Sequence, residues 1–144
     1  MEPFVVNFIR ASLVWLGLGV LLGLWMALDP TGALVYRPAH MHANLLGFVS
    51  MMIFGVAYHV LPRFAGRPLW SNRVAAVHFV VANAGLALMV AGWGTRTSLP
   101  SVGAAALAAG AVASTAGAFL FITNIWRTIG PARVIVAVRR GPAV

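Results

Sequence analysis

The sequence predicts an all-α integral membrane protein, built as a bundle of four transmembrane helices with both termini in the cytoplasm. Of the 144 residues, 61% are apolar and 8% are charged, and the apolar residues form four long runs. About 18 or more apolar residues in a row indicate a transmembrane helix, because roughly 20 helical residues cross a hydrocarbon layer about 30 Å thick. The connections between the runs are short, so we expect a single membrane domain over residues 1–144.

The four predicted spans cover approximately residues 11–28, 39–61, 74–93 and 102–125. Each connection is polar or rich in proline and glycine, which interrupt regular structure: "DPTGALVYRP", "PRFAGRPLWSNR" and "GTRTSLPS". No small-residue cleavage site follows the first run, so we expect it to remain as a helix and not to be removed as a secretory signal.

Arginine residues at the span ends predict the orientation of the bundle. With four spans, eight arginines fall on one side of the membrane and two on the other. Arginine accumulates in cytoplasmic loops, which places both termini in the cytoplasm. The net charge of +8 therefore belongs to span ends that meet lipid headgroups, and we do not expect a nucleic acid partner. The larger group comprises Arg10, Arg63, Arg67, Arg73, Arg127, Arg133, Arg139 and Arg140, and the smaller group Arg37 and Arg96.

The composition restricts the chemistry that the protein can perform. Because it contains no cysteine, disulfides, iron–sulfur clusters, thiolate metal sites and covalently attached haem are excluded. Its two acidic residues, Glu2 and Asp29, lie outside the spans, so carboxylate catalysis within the membrane is not expected. Any metal would be bound by histidine, methionine, carboxylate or backbone groups.

Four histidines are the main candidate ligands, since ionisable residues within spans are functional by default. His42 and His59 lie about 26 Å apart along the second span at 1.5 Å per residue, so they cannot share one metal within a chain. His40 and His42, near the outer end, lie about 200° apart around the helix, so one helix cannot direct both at one iron. His59 and His78 could meet across the following hairpin, or they could simply hydrogen-bond to the backbone at the interface.

Glycines recur at packing intervals in the first and fourth spans. Gly19 and Gly23 are four residues apart, and Gly103, Gly110 and Gly117 follow one another at seven-residue intervals. In lipid such faces let helix backbones approach closely. They predict either packing within the bundle or a surface that admits a flat macrocycle or a second subunit.

Residues 42–48, "HANLLGF", resemble the helix of haem–copper oxidase superfamily catalytic subunits that begins with an iron-binding histidine, most closely the nitric oxide reductase version. There a His-x-Asn-Leu-Leu run supplies an axial ligand to low-spin haem b near the outer face. The matching residues are His42, Asn44, Leu45 and Leu46, with Arg37 upstream.

The next hairpin, "YHVLPRFAGRPLWSNRVAAVHF", is similar to a helix–loop–helix of cbb-type cytochrome oxidases. In those oxidases the following helix ends in a His-His pair that binds copper, whereas this chain reads "AGWGTRT". The resemblance therefore does not imply stand-alone reduction of oxygen or nitric oxide. The matching residues are Tyr58, Pro62, Arg67, Pro68, Trp70, Ser71, Arg73, His78 and Phe79.

The resemblance implies a small b-type cytochrome, equivalent to one four-helix unit of the oxidase subunit, in a bacterial plasma membrane. His42, alone or together with His40, would bind non-covalent haem b for electron transfer or small-ligand binding. Arg37 and Arg96 would hold the propionates, because the planar guanidinium pairs well with carboxylates. The expected partners are membrane lipid, further copies of the chain, and a respiratory redox partner or quinone.

The second axial ligand remains open at this point. It could come from another copy's histidine or from Met89, or it could be missing; Met26, Met41, Met51 and Met52 are weaker candidates. Two other functions are also open. One is a haem-free accessory or assembly subunit of a respiratory oxidase, and the other is a copper-binding protein using His40, Met41 and His42, which suit cuprous ion.

Overall fold

The computed structural model describes residues 2–130, and within this range all regular structure is helical. Four helices are long and apolar enough to span a membrane, which confirms the predicted all-α fold with four spans. The cytoplasmic position of both termini stays a prediction. The second span is built from three consecutive segments, the middle one a π-helix. The elements are α1 (Pro3–Leu28), α2 (Ala33–His42), the π segment (Ala43–Ser50), α3 (Met51–Phe64), α4 (Asn72–Thr95) and α5 (Pro100–Ile129). Arg133, Arg139 and Arg140, which entered the predicted charge distribution, lie outside the described residues.

Each predicted span lies inside a longer helix, and local chemistry determines the helix ends. α1 and α5 begin with proline in the first turn, where its missing N–H is not needed and its φ is already helical. α4 begins after Ser71, whose Oγ accepts a hydrogen bond from the N–H of Val74 at 3.2 Å. α2 begins six residues before the predicted second span, so Arg37 lies within a helix and not in a connection.

The glycine faces of the first and fourth spans pack within the bundle, as one of the two predictions stated. A Cβ added to Gly110 would lie 2.6 Å from the carbonyl oxygen of Gly85, and one added to Gly103 would lie 2.9 Å from that of Gly92. These contacts bring α5 directly against α4. On α1, a Cβ at Gly19 would lie 2.5 Å from the side chain of Asn44 in the π segment.

A polar cluster holds the α3–α4 connection against the end of α5. The buried amide of Asn124 accepts a hydrogen bond from the N–H of Ser71 at 3.1 Å and donates one to its carbonyl at 2.9 Å. Thr128 accepts a hydrogen bond from the N–H of Trp70 and donates one to the carbonyl of Asn124. These hydrogen bonds join the α3–α4 connection to α5 at the arginine-rich end of the bundle, so that residues 69–73 lie beside the last turns of α5.

Candidate functional site

His42 is held in one orientation by its own helix. Its Nδ1 lies 2.7 Å from the carbonyl oxygen of Pro38, one turn earlier. A carbonyl oxygen can only accept, so Nδ1 carries the proton and Nε2 of the neutral ring carries the lone pair. Histidine ligands of metals commonly anchor one ring nitrogen on a carbonyl in this way, which fixes the tautomer and orients the ring. The half-buried His42 is therefore prepared to donate through Nε2.

His40 occupies a different environment, in the interface between α1 and α2. Its Nδ1 donates to the carbonyl of Gly19 at 2.8 Å, and its ring covers Gly23, where an added Cβ would lie 2.9 Å from Cε1. The amide of Asn44 donates to the carbonyl of His40 at 2.9 Å. Gly23 and Gly19 of α1 thus make room for His40 and Asn44 respectively. These contacts explain the glycine spacing in the first span.

His40 and His42 are anchored on different carbonyls, that of Gly19 on α1 and that of Pro38 on α2. Within residues 2–130, no group of three or more histidine, cysteine, aspartate or glutamate side chains forms a metal centre. A bare zinc or copper ion usually needs three or four protein ligands. Haem iron needs only one or two protein ligands, because the macrocycle supplies the other four nitrogens.

The π segment begins immediately after His42. Asn44 bonds the carbonyl of His40 through its side chain, and the hydroxyl of Ser50 donates to the carbonyl of Leu45, five residues earlier, at 2.9 Å. Side chains that bond nearby carbonyls compete with the α-helical pattern. π-helical turns are rare and frequently occur at functional sites. The π segment therefore overlaps residues 42–48, the stretch that resembles the haem–copper oxidase helix.

Arg37 and Arg96 both lie at the end of the bundle that carries His40 and His42, and both are exposed. Arg96 follows α4, with its guanidinium carbon 5.4 Å from the ring centre of Trp93. In the part of the chain that the structure describes, no hydrogen bond joins either arginine to His40 or His42. The structure therefore places both arginines at the same end as His40 and His42, as expected. That they hold haem propionates stays a prediction.

At the opposite end, His78 pairs with Tyr58 and not with His59. The hydroxyl of Tyr58 lies 3.0 Å from Nδ1 of His78, which is fully buried. Phe8 and Phe54 pack their rings on the imidazole at centroid distances of 4.9 and 4.7 Å, and its Nε2 has no hydrogen-bond partner in residues 2–130. The carbonyl of His59 accepts from the Arg63 guanidinium. The Tyr58–His78 pair was not predicted from the sequence. The available signal was that Tyr58 and His59 are adjacent in the chain and therefore face different sides of α3.

Three of the candidate methionines pack inside the bundle beside polar side chains. The sulfur of Met89 lies 3.6 Å from the hydroxyl of Ser114 on α5. The sulfurs of Met51 and Met52 lie 3.8 Å from the amide of Asn83 and 4.0 Å from the hydroxyl of Ser12. These contacts are typical of methionine as a packing residue.

Comparison with known proteins gives one informative relative. No protein-family model matches the chain. Over 92 residues it is 32% identical to the cbb3-type cytochrome c oxidase subunit CcoN1 of Stutzerimonas stutzeri, a match that covers 60% of this chain. It covers only 19% of that subunit, so the chain spans about a fifth of the relative's length. Together with the four apolar helices, this similarity supports a multi-pass membrane protein distantly related to haem–copper oxidases.

Proposed function

We propose that the protein is a small membrane-bound b-type cytochrome that binds haem b through Nε2 of His42 and carries single electrons. The observation that supports this most directly is the 2.7 Å contact between Nδ1 of His42 and the carbonyl of Pro38. It fixes the proton on Nδ1 and leaves the other nitrogen available to iron. The haem would supply the redox chemistry, and the protein the ligand and its surroundings.

The residues near His42 suit one face of a haem. Met41 and Leu45 are exposed apolar side chains on either side of it, 46% and 56% accessible, and they would contact the macrocycle. Arg37 and Arg96 are the cations available for propionates at this end. In our proposal a second copy of the chain covers the other face and contributes the second histidine, or the sixth position stays open to a small ligand.

Optical spectroscopy tests the proposal directly. The protein would be purified in mild detergent from haem-replete cells, and its reduced pyridine haemochrome spectrum recorded with the haem-to-protein ratio. We expect a b-type spectrum, lost in His42→Gly and restored by added imidazole, which separates ligation from folding. His59→Ala, at the other end of the same span, is the matched control and keeps the spectrum. A colourless wild-type protein would refute the assignment, and the ratio distinguishes one haem per chain from one shared by two.

The cellular setting follows from this proposal. A one-electron carrier with these helices would work in the bacterial plasma membrane beside a respiratory redox partner or quinone.

A haem-free accessory subunit is the second candidate, and the outer surface of α1 favours it. Leu13, Val14, Leu21 and Leu24 are each more than half exposed, so this face is available to a larger oxidase as well as to lipid. This function predicts a colourless protein that copurifies with a terminal oxidase. Copper binding by His40, Met41 and His42 predicts copper without haem, which metal analysis detects.

A further inference from the structure

A cavity of about 530 Å³ opens at the arginine-rich end, where α1 and α4 begin and α3 ends. Its volume lies within the range of about 300–1,000 Å³ that is typical of small-molecule sites. Two arginines, Arg63 and Arg67, and one carboxylate, Glu2, line it, so its charged groups sum to one positive charge. Phe4 and Leu69 supply apolar wall. This combination suits an amphiphile with an anionic headgroup.

The cationic wall is fixed by the way α3 ends. Gly66 has a φ of +63°, a conformation that glycine adopts without strain. Its N–H donates to the carbonyl of Arg63, and the N–H of Arg67 donates to the carbonyl of Pro62, both at 3.1 Å. These two bonds form a Schellman motif, which satisfies the last carbonyls of the helix. The backbone of Arg67 is therefore held beside the cavity by a regular helix ending.

A second cavity, of about 550 Å³, adjoins the first and shares Glu2, Phe4 and Asn72 with it. It continues along α4, whose Ala76 and Val80 lie about one and two turns inside the helix. Since α4 is a transmembrane helix, this groove leads from the charged end of the span toward the hydrocarbon region. Its apolar side chains offer a path for an acyl chain.

We propose that the two cavities together bind an anionic phospholipid, with its phosphate beside Arg63 and Arg67 and an acyl chain along the groove past Val80. Basic pockets at the ends of transmembrane helices bind acidic lipid headgroups in this manner. Free phosphate shares the headgroup chemistry, but only a lipid uses the apolar groove.

The charge requirement can be measured by titrating the detergent-solubilised protein with phosphatidylglycerol or phosphatidylcholine and counting bound lipid by native mass spectrometry. We expect preferential binding of phosphatidylglycerol. Arg67→Gln should weaken it about fivefold, the typical contribution of one basic residue near an anionic lipid. Glu2→Gln, at an exposed position, should strengthen it. Arg127→Gln is the matched control, because it removes the same charge at the same end, where Arg127 stacks 4.5 Å from the ring centre of Trp70 and lines neither cavity.

The groove is tested separately with Val80→Trp, which fills it. We expect this variant to weaken phosphatidylglycerol binding while leaving the effect of inorganic phosphate as a competitor unchanged. If Val80→Trp binds the lipid normally and inorganic phosphate displaces it fully, the site takes free phosphate and the lipid proposal fails. Equal losses in Arg67→Gln and Arg127→Gln would show diffuse surface attraction and would also refute it.

Discussion

The indole Nε1 of Trp15 donates a hydrogen bond to Oδ1 of Asn83, 3.0 Å away, and so joins the first span to the third. The amide nitrogen of Asn83 donates in turn to the carbonyl of Phe79 at 2.8 Å. Both side chains lie inside helices that are apolar enough to span a membrane, where few alternative partners exist. Hydrogen bonds between transmembrane helices contribute about 0.6 kcal/mol on average and about 1.7 kcal/mol at most.

Asn83→Leu should therefore destabilise the bundle by about 1–2 kcal/mol, because it removes the interhelical bond and leaves the indole N–H of Trp15 without its partner. The free energy of unfolding in mixed detergent micelles measures this. Trp15→Phe and the double variant complete a mutant cycle. Strictly additive losses would show that the Trp15–Asn83 bond contributes nothing to stability.

Gly23→Ala should destabilise the protein by about 1–3 kcal/mol relative to Gly17→Ala, the usual range for overpacking. The new methyl group would lie 2.9 Å from Cε1 of His40, so the imidazole must move away from α1. Gly17→Ala is the matched control, since nothing lies within 4 Å of its added Cβ. It should be neutral or stabilising by up to about 1 kcal/mol, because alanine favours a helix over glycine. Equal thermal unfolding midpoints for the two variants would contradict the packing of His40 on α1.

Asn124→Leu should loosen the α3–α4 connection and destabilise the protein by about 1–3 kcal/mol, since it leaves the N–H of Ser71 without its partner. It also removes one of two hydrogen bonds to the carbonyl of Ser71, which keeps the bond from the N–H of Ala75. Hydrogen exchange at the amide of Ser71 reports the local opening. Thr123→Val, at the neighbouring exposed position, is the control and should leave that exchange rate unchanged. Unaltered protection of Ser71 in Asn124→Leu would contradict the role given to this amide.

The α1–α2 connection contains a carboxylate whose pKa is lowered. The hydroxyl of Thr31 donates to Oδ1 of Asp29 at 2.6 Å, the larger cause, and the N–H of Gly32 donates to the same oxygen at 3.1 Å. Both bonds favour the charged carboxylate, so the pKa of Asp29 lies below its ordinary value of about 3.9. The stabilisation of this turn is therefore complete above the ordinary pKa and is lost as the pH falls through the lowered pKa.

Thr31→Val should raise the pKa of Asp29 toward its ordinary value, because it removes the stronger of the two bonds. Carbon-13 NMR titration of the carboxyl group measures the change. Ser98→Ala, in the α4–α5 connection, is the control. An unchanged titration curve in Thr31→Val would contradict the hydrogen bond as the cause of the shift.

Hydropathy and helix-end residues were sufficient to predict the four spans, and glycine spacing gave packing within the bundle as one of two alternatives for the glycine faces. They specify where a residue lies along a helix, but not which neighbour its side chain faces in the assembled bundle. For this reason the sequence placed His40 and His42 on different sides of one helix without showing that His40 contacts Gly19 and Gly23. The same limit applies to the polar side chains of Asn83 and Asn124, whose partners lie 68 and 53 residues away in the chain.

The π segment also determines how His42 is phased relative to the rest of the second span. Deleting a single residue between 43 and 50 would turn everything on one side of the deletion by about 100° relative to the other side. The imidazole and the residues of α3 that pack in the core could then no longer occupy their present faces together. Insertions and deletions in this stretch should consequently be far less tolerated during evolution than length changes in the exposed connection between α4 and α5.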